Sequence, residues 1–135
     1  MQQNELKKNH ANYSPLTPLV FIEKAAKIFP DRYSIIHENK YFTWEQTFMR
    51  CKQLAGSLSQ KLAKGNVVGF IAANTPELYE AHFAVPMAGM ILNAINYRLD
   101  PKTIAYIIDH SDIKMLVVDT EFLQLGKEAV SLSCL

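Results

Sequence analysis

The sequence predicts an α/β protein, with an N-terminal β-hairpin and helices followed by a β-α-β-α-β doubly wound layer. Three observations predict it. "VVGFIA" (67–72), "ILNAI" (91–95) and "IKMLVV" (113–118) are short, mostly apolar runs with little alternation, the pattern of strands covered on both faces of a parallel sheet. Helical segments of about 76–88 and 101–110 separate them, and right-handed crossovers through such helices build one layer. Ahead of this unit, Tyr33–Ile36 and Tyr41–Phe42 flank "HENK" as the arms of a hairpin.

The helix starts carry their own punctuation. Thr17-Pro18, Thr75-Pro76 and Asp100-Pro101 each set a capping side chain before a proline at the first helical position. Thr43-Trp44-Glu45-Gln46 is a capping box, with glutamine three residues after the threonine. In the helix it opens, Trp44, Phe48, Cys51, Ala55, Leu58 and Leu62 recur at steps of three and four. They form one apolar stripe against a core, and Gly65 stops the helix. Pro86 removes a backbone donor from the next helix and should kink or end it, with Gly89 finishing the break.

Length and composition limit the function classes. At 135 residues the chain suits one domain, and a domain of that size buries roughly two-thirds of its unfolded surface without needing disulfides. The expected organisation is a poorly ordered leader over 1–16, one domain over 17–130 and a short tail over 131–135. A net charge of +1 offers no electrostatic footprint for nucleic acid, and Lys7-Lys8 is the only adjacent basic pair. No apolar run approaches the roughly 18 residues that span a bilayer. Cys51 and Cys134 form no disulfide framework, which fits a reducing, intracellular compartment. The final Ser133-Cys134-Leu135 is akin to a peroxisomal address without its basic middle residue, so cytoplasm and peroxisome both stay open.

Candidate ligand residues are those at the carboxyl ends of the strands, where doubly wound sheets bind. Asn74, Asn96, Arg98 and Asp119 fall there. Asn74 and Asp119 read as turn or capping residues. Asn93 lies inside a strand and needs a partner for its amide. Together Asn93, Asn96 and Arg98 are expected to tie the second strand to its neighbours. His10, His37, His82 and His110 are too scattered for a zinc site, and His82 reads as a hydrogen-bonded packing residue. Cys51 has no local histidine to activate it and reads as a small buried hydrophobe. The five glycines, Gly56, Gly65, Gly69, Gly89 and Gly126, are isolated. A phosphate cradle needs them clustered so that backbone amides converge. No Gly-x-Ser-x-Gly elbow occurs either.

Four stretches carry a resemblance: "ANYSPLTPLVFIEKAAKIFPDRYSIIH", "YFTWEQTFMRCKQLAGSL", "ANTPELYEAHFAVPMAGMILNAINYRLD" and "IIDHSDIKMLVVD". Over about residues 11–130 the chain resembles the N-terminal part of plant acyl-activating enzymes, AMP-forming acyl-CoA synthetases of the adenylate-forming ligase superfamily. The resemblance implies an incomplete piece of that superfamily's large N-terminal domain. It also implies a parent that joins a carboxylic acid to AMP from Mg-ATP, releases pyrophosphate and passes the acyl group to coenzyme A. The family's ATP loop, adenine and ribose motifs, hinge and catalytic lysine match no position here. The resemblance therefore assigns no catalytic, cofactor-binding or metal residue; ATP, Mg and CoA are implied for the full-length family only. A non-catalytic short protein that partners a full-length relative is the second reading, with self-association through an open sheet edge. An independent nucleotide binder is a third, disfavoured by the missing glycine loop.

Overall fold

The structure is a computed structural model that describes residue 9 and residues 11–135. Residues 1–8 of the expected leader, with Lys7-Lys8, and also His10 lie outside the described residues. In chain order the elements are α1 (Pro18–Ile28), β1 (Tyr33–His37), β2 (Lys40–Thr43), α2 (Trp44–Ser59), β3 (Val67–Ile71), α3 (Pro76–Met87), β4 (Ile91–Ile95), α4 (Pro101–His110) and β5 (Ile113–Val118). A single 3-10 turn at Thr120–Phe122 then leads into α5 (Leu123–Ser131).

The hairpin pairs antiparallel, with Ile36 opposite Tyr41 and His37 opposite Lys40. Its turn is tighter than expected, because His37 and Lys40 join the strands and Glu38 takes up a positive φ of 52°. The main sheet has three parallel strands in the order β4-β3-β5. The chain thus leaves central β3 for one edge and then crosses to the other.

Each face of β3 is buried under its own helices. Val68 and Phe70 join a cluster with Ile22, Cys51, Leu58, Ala81 and Val85, under α1, α2 and α3. Ile71 joins Ile95, Ile104, Ile108, Ile113 and Ala129, under α4 and α5. This two-sided burial is why the three runs lack alternation. Burying a large aliphatic chain in such a core contributes about 1.5–3 kcal/mol.

The register between β3 and β5 slips where Val67 faces Ile113 but Val68 faces Met115. Lys114 is the extra residue, a bulge that changes the facing parity of the strand. Ile113 and Leu116 therefore point to the same face, and both lie over Gly69. A Cβ built on Gly69 would stand 2.8 Å from Ile113 Cδ1 and 2.9 Å from Leu116 Cδ1. The absence of a side chain there leaves room for the side chains of Ile113 and Leu116.

The capping expectations hold in part. Thr43 makes the full capping box with Gln46, and Asp100 accepts from the amides of Lys102 and Thr103. Thr17 and Thr75, by contrast, make no side-chain cap hydrogen bond. The proline after each begins the helix through its fixed φ, and that does not depend on the hydroxyl. Pro86 lies one residue before the end of α3 at Met87, and Gly89 then turns at φ 74°, in keeping with the expected break. So near the end of a helix, only one intrahelical hydrogen bond depends on the missing donor. Finally, α5 has no counterpart in the sequence reading. Phe122, Leu125 and Val130 flank its buried Ala129 in the second cluster. Its Gly126 packs on β5, with a built Cβ only 2.9 Å from Val118 Cγ2.

Candidate functional site

The crossover directions place a topological switch point between β3 and β5, since α3 follows β3 on one face and α5 follows β5 on the other. Ligands of doubly wound sheets bind in the crevice at such a point. A hollow of about 300 Å³ lies there, with Phe70, Thr75, Glu77, Leu78, Val117 and Asp119 in its lining. On the other side of β3, a hollow of about 360 Å³ takes Asn74, His82, Asn96 and Arg98 into its wall. The structure thus brings Asn74, Asn96 and Arg98 together, and sets Asp119 apart in the first crevice.

Their polar groups are largely spent on local structure. Asp119 accepts from the Glu121 amide and starts the 3-10 turn, while its own N–H donates to the Ile71 carbonyl at 2.9 Å. Asn96 accepts from the Arg98 amide at 3.0 Å, within its own turn. Arg98 is exposed and lays its guanidinium over the Tyr97 ring, 5.5 Å from the centroid. Of the three residues expected to tie β4 to its neighbours, only Asn93 does so, donating from Nδ2 to Ser111 Oγ at 2.9 Å at the end of α4. Asn96 and Arg98 lie beyond the last residue of the strand, and the contacts they make there are within their own turn. His82 lies exposed on α3 and donates from Nδ1 to the Leu78 carbonyl at 2.8 Å, so it is hydrogen-bonded but not packed inward. His110 stacks on Tyr106, and His37 sits at the hairpin turn.

The switch-point crevice does not fit a triphosphate. Its fixed charges are the carboxylates of Glu77 and Asp119, which repel an anion. The adjacent helix opens on Thr75-Pro76, and a proline supplies no amide for a phosphate. Each glycine stands alone in the chain, so no clustered glycines are present to converge their amides on an anion. Among the described residues, no group of three or more His, Cys, Asp and Glu side chains is placed to hold a metal ion.

Sequence reasoning missed a third hollow, of about 490 Å³, along α3 between Leu78, Tyr79, His82 and Phe83. Tyr79 and Phe83 meet edge to face at 5.3 Å. The signal was legible. Besides its buried Ala81, Ala84 and Val85, α3 carries Leu78, Tyr79 and Phe83 on other sides, so its apolar residues extend beyond the one stripe that a surface helix needs.

Comparison with known proteins explains this architecture. Residues 22–133 match the family described as AMP-binding enzyme. The chain belongs to that family. As an AMP-binding enzyme sequence, it is 52% identical over 130 residues to a peroxisomal trans-cinnamate:CoA ligase of Petunia hybrida. It is 48% identical over 130 residues to an acetate–CoA ligase of Humulus lupulus. Each match takes in 96% of this chain and 23% of the relative, so the chain spans about a quarter of the length of these curated relatives. The fold superposes with a TM-score of 0.80 on a Rhodopseudomonas palustris protein assigned as a long-chain-fatty-acid CoA ligase, at 25% identity, over 86% of this chain and 30% of that one. The expected α/β class holds: this AMP-binding enzyme chain has the architecture of the N-terminal portion of adenylate-forming ligases. Among the described residues, no helix is long and apolar enough to cross a membrane.

Proposed function

We propose that residues 1–135 are the first scaffold layer of an ATP-dependent acyl-CoA synthetase, whose overall reaction converts a carboxylic acid, ATP and CoA to acyl-CoA, AMP and pyrophosphate. The observation that carries this reading is how the polar residues of β4 and of the strand ends are used. Asp119 starts a helical turn, Asn96 closes its own turn and Asn93 fastens β4 to Ser111. They are engaged in holding the layer. In this reading the ordered unit is residues 17–130, none of its side chains is catalytic, and ATP, Mg and CoA are engaged elsewhere in a full-length enzyme. The compartment is intracellular, cytoplasmic or peroxisomal, and the Petunia relative's peroxisomal designation favours the second.

A second reading is supported by the sheet. β4 and β5 each pair on one side only, and Ile91 of β4 is 57% exposed. Open parallel edges invite pairing with another chain. In this reading the short chain is a non-catalytic partner of a full-length relative, or associates with itself. Light scattering that stays at monomer mass over rising concentration would remove the self-association.

The mass of the native polypeptide separates the two readings. Antibodies or peptides from residues 40–110 should detect a product several times heavier if the chain is a ligase's first layer. A sole product near 15.3 kDa contradicts that reading and favours the second.

A further inference from the structure

We draw no further inference here: the strongest candidate, the apolar hollow along α3 between Leu78, Tyr79, His82 and Phe83, is an unpartnered helix face, and nothing in the structure shows what covers it.

Discussion

Arg50 holds Glu80 with two hydrogen bonds, Nε to Oε1 at 2.5 Å and Nη2 to Oε2 at 2.9 Å, and so joins α2 to α3 across 30 positions of sequence. The two ends of this pair are in different surroundings. Glu80's side chain is 6% exposed and Arg50's is 38% exposed, with the Phe42 ring 4.6 Å from the guanidinium carbon. Solvent screens the arginine end, which discounts the attraction, while the burial of the carboxylate makes the loss of its partner costly.

The asymmetry makes the two single substitutions unequal. Arg50→Ala strands a buried carboxylate and should cost about 3 kcal/mol. Glu80→Gln keeps an acceptor and lets Arg50 turn to water, so it should cost about 1–2 kcal/mol. Urea unfolding of both variants checks the order. Equal losses would mean that the burial of Glu80 does not set the cost of breaking the pair; negligible losses in both would mean that the ion pair does not lock the two helices.

Two glycines should respond in opposite directions to alanine. Gly69→Ala pushes a methyl against Ile113 and Leu116 in the core, and overpacking of that kind costs about 1–3 kcal/mol. Gly56 is exposed within α2 and has open space where a Cβ would go. Gly56→Ala should therefore stabilise by about 0.5–1 kcal/mol. Thermal unfolding, read as a fall in Tm for the first and a rise for the second, tests the packing and the β5 bulge together.

Burial pushes the Cys51 thiol up to about 12, with the Glu80 carboxylate adding to the effect. Its folded-state value thus lies above the ordinary thiol range, so its contribution to stability is complete below about pH 9. Between there and pH 12 the unfolded thiol ionises while the folded one keeps its proton. Stability should fall as pH rises through that window, and Cys51→Ala should flatten the fall. Thiol labelling at pH 8 adds a direct check: the folded chain should react at exposed Cys134 and not at Cys51.

Most of the backbone plan was legible because it rests on local rules. The three apolar runs, the Thr43 box, the Asp100 cap and the hairpin each depend on residues a few positions apart. What stayed hidden depends on residues far apart in the chain. Arg50 and Glu80 each look like solvent-facing charges until α2 meets α3. Thr17 and Thr75 have the composition of caps, but whether a hydroxyl turns to the amides is a rotamer choice that a one-dimensional pattern does not contain. α5 had no counterpart in the sequence reading; the missing side chain of its Gly126 lets the helix lie against Val118, a contact with a residue of β5. Asn74, Asn96, Arg98 and Asp119 were legible as residues beyond the strand ends, and Asn93 as a strand residue whose amide needs a partner. Their partners were not, apart from the capping role of Asp119.

The central claim is that this layer positions an active site without containing one, and pyrophosphate release tests it most directly. The purified, folded chain should be given Mg-ATP with acetate, butyrate, benzoate and trans-cinnamate in turn. No acid-dependent release above the protein-free rate is expected, alongside release by a full-length ligase assayed in parallel. Turnover by residues 1–135 that depends on the acid, and persists through repurification, would contradict the account and place catalytic residues within this layer.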